Sequence, residues 1–120
     1  MDDVLDQSVL DELMSFADDG DPELLLDLID MFLDDGPSKV LAVQEGISTG
    51  DFDKAERAAH SLKGSSGNLG ATLLQDICEK LQVATRHQRL DESKQLAPRL
   101  SETYAAAEEA LKRLRSEYQG

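Results

Sequence analysis

The sequence predicts an all-α fold: an antiparallel four-helix bundle with an additional short N-terminal helix packed across one end. Hydrophobic residues make up 40% of the 120 residues but aromatic residues only 4%, so aliphatic side chains must fill the core, a composition that favours helices over sheets. Apolar residues recur at helical spacing in five segments. Short connections make neighbouring helices antiparallel. We expect a single domain over residues 1–120.

The first helix is predicted from about Asp6 to Ala17, with Asp6 and Ser8 as candidate caps and Asp19-Gly20 as the stop. Its apolar residues form two stripes about 100° apart on a helical wheel. The stripes are Leu5, Val9, Leu13 and Phe16, and Leu10, Met14 and Ala17. An outer helix of a bundle buries one stripe. The surface formed by Leu10, Leu13 and Met14 is therefore a candidate docking surface, with wide burial of both stripes as the alternative.

The second helix is predicted from an Asp21 cap to about Ser48. It contains Gly36-Pro37, which would normally end a helix at a cost of about 3 kcal/mol. Apolar residues before and after the proline nevertheless keep one helical phase. We predict one long kinked helix, and two successive helices are the alternative.

Three further helices complete the predicted fold. One begins after an Asp51 cap and ends near Asn68, and the next runs from Ala71 to about His87. The latter should bury Leu73, Leu74, Ile77, Cys78, Leu81 and Ala84. The last helix begins at Asp91, and Pro98 in its second turn is a candidate kink. Its predicted core stripe is Leu96, Leu100, Tyr104, Ala107, Leu111, Leu114 and Tyr118.

The third helix carries His60 outside its apolar face. That face consists of Phe52, Ala55, Ala58, Ala59, Leu62, Ser66 and Leu69. Around the histidine on the wheel lie Asp53, Glu56, Arg57, Lys63, Gly64 and Gly67. Gly64 and Gly67 each cost about 1 kcal/mol of helix stability relative to Ala. They follow His60 by four and seven residues, spacings that place them on its face of the helix and leave room beside the ring. Lys63 is spaced to reach an anion on the imidazole. The sequence thus predicts an exposed nucleophile, with an ordinary solvated histidine as the alternative.

This segment resembles the histidine-containing phosphotransfer (HPt) family, whose motif is His-x-Leu-Lys-Gly, two small residues and then Leu-Gly. The matching residues are His60, Leu62, Lys63, Gly64, Ser65, Ser66, Leu69 and Gly70. The resemblance implies that His60 accepts a phosphoryl group, that Lys63 steadies it, and that Gly64 leaves steric access. Some members place a Gln and an Arg on the next helix near the phosphorylated ring, which points to Gln82 and Arg86. The resemblance also suggests that the ring nitrogen of His60 farther from the backbone reacts.

The resemblance further implies that the phosphoryl group comes from a phospho-aspartate of a response-regulator receiver domain and passes to another receiver. A hybrid histidine kinase is an additional partner that it allows. We expect Glu56, Arg57 and Gly67 to contact a partner together with the docking residues of the first helix. The chain has no Gly-rich phosphate loop before a helix and no second well-placed acid or base. We therefore expect a phosphocarrier rather than an enzyme, with Mg²⁺ and the catalytic groups belonging to the receiver.

Composition limits the other functions. The formal net charge of −13 argues against nucleic acid and anionic membranes as partners. His60 and His87 lie on different helices without Cys or carboxylate at ligand spacing, so we expect no metal site and no cofactor. The single Cys78, the lack of a long apolar run and the acidic N-terminus predict a cytoplasmic protein, which we expect to be monomeric.

Two alternatives to this function stay open. The first is a helical adaptor that binds signalling partners without carrying phosphate. The second is a piece of a larger hybrid kinase, although Met1 and the complete last helix favour a free-standing protein.

Overall fold

A computed structural model describes residues 4–16 and 21–119 of the chain. It contains five α-helices: α1 (Gln7–Met14), α2 (Glu23–Thr49), α3 (Phe52–Asn68), α4 (Thr72–Arg86) and α5 (Leu90–Gln119). α3 packs against α2 and α4, and α5 closes the bundle against the same two helices. The predicted all-α bundle with a short extra helix is confirmed. No helix in the described ranges is both long and apolar enough to span a membrane.

The helices differ in length, and this difference places α1. α2 and α5 contain 27 and 30 residues, whereas α3 and α4 contain 17 and 15. At 1.5 Å per residue, the long pair must extend well beyond the short pair. α1 packs at this end, where the backbone N–H of Asp6 donates to the carbonyl oxygen of Gly70 at 2.7 Å. Gly70 has φ +76°, and a Cβ there would lie 2.9 Å from the Asp6 carbonyl oxygen, so this corner requires glycine.

Most predicted helix boundaries agree with the structure. The carboxylates of Asp6, Asp21 and Asp51 accept hydrogen bonds from backbone N–H groups at the starts of α1, α2 and α3. The Ser8 hydroxyl and N–H hold the pKa of Asp6 below its usual value. α1 ends at Met14, three residues before the predicted end. Ala17 and the predicted stop at Asp19-Gly20 lie outside the described residues.

α2 is a single helix through Pro37, which confirms the long-helix prediction. The neighbouring Gly36 lies against Tyr104 of α5, because an added Cβ would be only 2.6 Å from two ring carbons of that tyrosine. The Tyr104 ring stacks on Phe32 with a centroid distance of 5.3 Å. Packing of Phe32 and Gly36 against Tyr104, in the turn just before the proline, therefore offsets the loss of one helical hydrogen bond.

The predicted apolar face of α3 is buried except for Phe52, which is half-buried. Two other core predictions are wrong. Tyr118 is 43% exposed because α5 extends beyond the helices that cover its earlier turns. Leu73 is 60% exposed since it lies at the edge of α4, beside a shallow groove lined by small residues of α5 such as Thr103 and Ala106.

The close approach of α2 and α3 at Gly46 generates a stability prediction. A Cβ at Gly46 would lie 2.7 Å from the Asp51 carbonyl oxygen and 2.8 Å from the Ala55 nitrogen, both backbone atoms that cannot rotate away. Gly46→Ala should lower the free energy of unfolding by about 1 to 3 kcal/mol. Gly64→Ala is the matched control, since its Cβ would meet nothing within 4 Å. It should raise stability by up to about 1 kcal/mol. Urea denaturation measures both, and equal stabilities would contradict the packing argument.

Candidate functional site

His60 lies on the solvent-facing side of α3 near the middle of the helix. The residues immediately before it, Ala58 and Ala59, are buried, so the helix phase directs the imidazole away from the core. The predicted exposure of His60 is therefore confirmed. The ability of the ring to accept a phosphoryl group depends on the groups around it.

Gln82 of α4 holds the ring through its inner nitrogen. The Gln82 Nε2 atom and the His60 Nδ1 atom are 3.1 Å apart. Gln82 is only 6% exposed, so it lies beneath the imidazole rather than on the open surface of α4. Its Oε1 atom is buried without a hydrogen-bond partner in the described chain. The outer nitrogen of His60, Nε2, makes no hydrogen bond to any described residue, and it is the ring atom open to a reactant.

Two ion pairs flank the histidine, one on each side along α3. Glu56 Oε2 accepts from Arg86 Nε at 2.9 Å, and Lys63 Nζ lies 3.4 Å from Glu79 Oε1. Farther along α3, a Cβ at Gly67 would lie 2.7 Å from Gln75 Nε2, so the space left by this glycine is filled by the Gln75 side chain. We call Glu56, His60, Lys63 and Gly67 with their α4 partners Arg86, Gln82, Glu79 and Gln75 the polar row.

The polar row shows which predicted site residues come together. Gln82 and Arg86 both lie beside His60 or its neighbour Glu56, as the resemblance implied. The Lys63 ammonium group was expected to reach an anion on the imidazole, but it already pairs with the Glu79 carboxylate. Gly67 faces Gln75 rather than open solvent, and this contact weakens its expected role in docking.

Gly64 and Arg57 lie on the open side of the ring. A Cβ at Gly64 would have no neighbour within 4 Å, so the helix leaves free space one turn beyond His60. Arg57 forms an exposed ion pair with Asp53 at 3.0 Å, and exposed pairs of this kind hold a side chain only weakly. This side of the site is therefore accessible to a large partner.

The structure also shows a cleft that the sequence interpretation missed. It has a volume of about 130 Å³ and lies between α2 and α3, with Ser61, the neighbour of His60, in its wall. Met31 of α2 lines it and is 59% exposed. In the sequence, Met31 lies beside the buried stripe of α2 rather than in it. This helical phase could have indicated that its side chain faces outward.

The docking surface predicted on α1 needs a correction. Leu10 is 4% exposed and belongs to the core, so its assignment to an exposed apolar surface is wrong. The physical reason is that the long ends of α2 and α5 need an apolar cover, and α1 provides it. Leu13 and Met14 are half-buried and pack against the same core.

Together, the fold and this site define a helical bundle that presents an exposed histidine with a supported ring and cations on either side. Such a site suits the transient carriage of a phosphoryl group. A family model described as the Hpt domain matches residues 27–117, and the chain belongs to this family.

Similar proteins agree with this assignment. The crystal structure of histidine-containing phosphotransfer protein B (HptB) from Pseudomonas aeruginosa PAO1 has 26% sequence identity and a TM-score of 0.87, covering 98% of this chain and 99% of that one. Multistep phosphorelay regulator 1 of Schizosaccharomyces pombe is 29% identical over 79 residues. Histidine-containing phosphotransfer protein 5 of Arabidopsis thaliana is 29% identical over 70 residues. These matches cover 66% and 56% of this chain, but only 27% and 45% of the respective relatives.

The support of the ring by Gln82 can be tested by substitution. Gln82→Leu removes the contact to Nδ1 and also removes a buried carboxamide of which one end, Oε1 in the described orientation, lacks a hydrogen-bond partner, and such a group costs about 1 to 3 kcal/mol. The free energy of unfolding should therefore stay within about 1 kcal/mol of the wild-type value or exceed it. The ¹⁵N chemical shifts of the His60 ring should move towards those of free histidine. Gln75→Leu, an exposed change in the same row, is the control and should leave the ring shifts unchanged. Identical ring shifts in all three proteins would contradict this role.

Proposed function

We propose that this protein is a histidine phosphotransfer protein of a two-component phosphorelay. In this proposal His60 takes a phosphoryl group from a phospho-aspartate on a response-regulator receiver domain and passes it to another receiver. The observation that carries the proposal is the state of the imidazole, whose inner nitrogen contacts Gln82 while its outer nitrogen faces solvent. Family membership and the names of the relatives support it.

The contact with Gln82 suggests how the nucleophile is prepared. A neutral imidazole carries one proton, and the nitrogen without it is the nucleophile. A half-turn of the Gln82 carboxamide exchanges its oxygen and nitrogen, so that Oε1 accepts a hydrogen bond from Nδ1–H. The lone pair then lies on Nε2, directed to solvent. Gln82 thus favours the tautomer in which the outer nitrogen can react.

Transfer then requires little from this chain. The Nε2 lone pair attacks phosphorus as the bond between phosphorus and the aspartate oxygen breaks, and the aspartate leaves as a carboxylate. The Nδ1 proton stays on the ring, which becomes an N-phosphorylated imidazolium whose positive charge offsets part of the phosphoryl charge. The same steps in reverse pass the group to the next receiver. We assign Mg²⁺ and the catalytic groups to the receiver, because this displacement needs only a positioned nucleophile from the histidine protein.

Cations beside the ring would steady the transferred group. Arg86 uses Nε for its bond to Glu56, and its two terminal amino groups make no hydrogen bond to a described residue. They are free to donate to phosphoryl oxygens without breaking the ion pair. Lys63 lies on the other side of His60. Because these side chains are partly exposed, each contributes only about 0.2 to 1 kcal/mol.

The receiver would approach over Gly64, where the helix surface is open. Arg57 and Glu56 border this approach, and Leu13 and Met14 of α1 and Met31 of α2 are candidate apolar contacts farther out. Transient interfaces of this kind are small and combine an apolar centre with a polar rim. We propose that the protein acts as a monomer in the cytoplasm, with receivers as partners and a hybrid histidine kinase as a further source of the phosphoryl group.

A labelling experiment tests the function. Wild type and His60→Gln are incubated with a receiver carrying a radioactive phospho-aspartate, and His87→Gln serves as the control because it removes the other histidine of the chain. We expect label on wild type and His87→Gln but not on His60→Gln, and the label should be lost in acid and survive alkali, as phosphoramidates do. Equal labelling of all three would refute His60 as the acceptor, and binding of the receiver without any labelling would favour the helical adaptor.

The open space at Gly64 gives a kinetic prediction. Gly64→Gln should preserve stability or raise it by up to about 1 kcal/mol, because Gly is the poorer helix former, yet it should slow phosphotransfer at least tenfold by blocking the approach to Nε2. Ala105→Gln, on the exposed face of α5, is the control and should transfer at the wild-type rate. Rapid-quench kinetics and thermal melts provide the two measurements. An unchanged transfer rate in Gly64→Gln would show that the steric argument is wrong.

A further inference from the structure

Lys63 is already occupied by another anion in the unphosphorylated protein. Its Nζ atom lies 3.4 Å from Oε1 and 3.5 Å from Oε2 of Glu79, so the ammonium group sits almost evenly between the two carboxylate oxygens. Both side chains are partly exposed. The contact is longer than the 2.9 Å bond between Arg86 and Glu56, and such long, exposed pairs are weak. Lys63 is therefore held, but loosely enough to exchange partners.

Phosphorylation of His60 would add a second anion within reach of Lys63. A protein-bound phosphoryl group carries a charge of about −1.5 to −2 near neutral pH, and Lys63 follows His60 by three residues on the same helix face. Glu79 stands three residues before Gln82 on α4, so it faces the same space from the neighbouring helix. One ammonium group thus lies between a carboxylate and a stronger anion.

The two cations of the polar row differ in how they can respond. The guanidinium of Arg86 can keep Nε on Glu56 and offer its terminal amino groups to a phosphate, because it presents a fork of donors. The Lys63 ammonium is a compact point charge. Sharing it would draw the Glu79 carboxylate and the phosphoryl group together, and like charges at short range repel each other. Lys63 therefore exchanges one anion for the other.

We propose that Glu79 competes with the phosphoryl group of His60 for Lys63 and so weakens the interaction between Lys63 and that group. The proposal rests on the proposed function, since it requires a phosphorylated His60. In this arrangement Glu79 opposes retention of the phosphoryl group, while Lys63 favours it. The charged groups near the phosphoryl position are Glu56, Lys63, Glu79 and Arg86 of the polar row, together with the Asp53–Arg57 pair beside His60 on α3.

The test uses chemical phosphorylation, so that no receiver is needed. Potassium phosphoramidate supplies the phosphoryl group. The bond between His60 Nε2 and phosphorus forms as the bond between phosphorus and the phosphoramidate nitrogen breaks, and that nitrogen leaves as ammonia. ³¹P NMR titration of the product then gives the acid dissociation constant of the phosphoryl group. A nearby cation increases this constant because it stabilises the dianion. Wild type, Glu79→Gln, Lys63→Met and the double variant form a double-mutant cycle.

We expect Glu79→Gln to increase the dissociation constant roughly two- to fivefold, the range expected for partly exposed ion pairs. In the Lys63→Met background the same substitution should have less than half this effect on a logarithmic scale. Glu45→Gln is the matched control, because it also breaks an ion pair between α3 and a neighbouring helix, the 3.0 Å contact between Glu45 and Lys54. It should leave the constant unchanged.

Two results would overturn the competition. One is an unchanged constant in Glu79→Gln, and the other is an equal effect with and without Lys63, which would indicate direct repulsion between Glu79 and the phosphoryl group. Failure of the proposed function has a different signature. A receiver carrying phospho-aspartate would then leave wild type unlabelled, whereas the ³¹P titration of chemically phosphorylated His60 would still report on the competition alone.

Discussion

The register between α3 and α4 is the constraint on which the site depends. The buried face of α3 consists largely of small residues, among them Ala55, Ala58, Ala59 and Ser66. Small residues let helices approach closely, and α3 packs against both α2 and α4 through this face. At that short distance a side chain of α4 can lie beneath one of α3, as Gln82 does beneath His60. A shift of either helix by one residue would rotate these partners away from each other.

The same register organises the charges. The protein carries a formal net charge of −13, yet the polar row contains two acids and two bases, each acid paired across the helix boundary. The histidine therefore stands in a locally balanced patch on a strongly acidic molecule. This balance matters for an anionic ligand, since an uncompensated acidic surface would repel it at long range. The cations beside His60 act within a few ångströms and are screened beyond about 10 Å in ordinary salt.

Much of the fold and the position of His60 could be predicted from the sequence, because both follow from helical periodicity. The phase of α3 placed His60 outside the apolar face, and the continuous phase of α2 favoured one helix through Pro37. The wrong predictions share another cause. Tyr118 lies where α5 extends beyond its neighbours, Leu73 lies at the exposed edge of α4, and Leu10 lies where a further helix covers the long ends of α2 and α5. Relative helix lengths and offsets are properties of the packed bundle, which a single helical wheel does not contain.

Contacts across helices were only partly predictable for a related reason. Gln82 and Arg86 were placed near the ring through family resemblance, while the pairing of Lys63 with Glu79 was not foreseen. Each residue has several possible partners on a neighbouring helix, and only the packed register selects among them. Gly67 illustrates the limit: the sequence shows that a side chain is missing, but the structure is needed to show that Gln75 occupies the gap.

The corner between α3 and α4 has a consequence for how this molecule can change. α1 lies outside the residues that match the family model, and it is joined to the bundle by a hydrogen bond between two main-chain groups, the N–H of Asp6 and the carbonyl of Gly70. Every amino acid except proline can supply that N–H. Provided that position 70 remains glycine, the outward-facing residues of α1 can be replaced freely without moving its anchor. The outer surface of the first helix can thus vary, while Leu10 and the other residues that pack onto the core stay fixed.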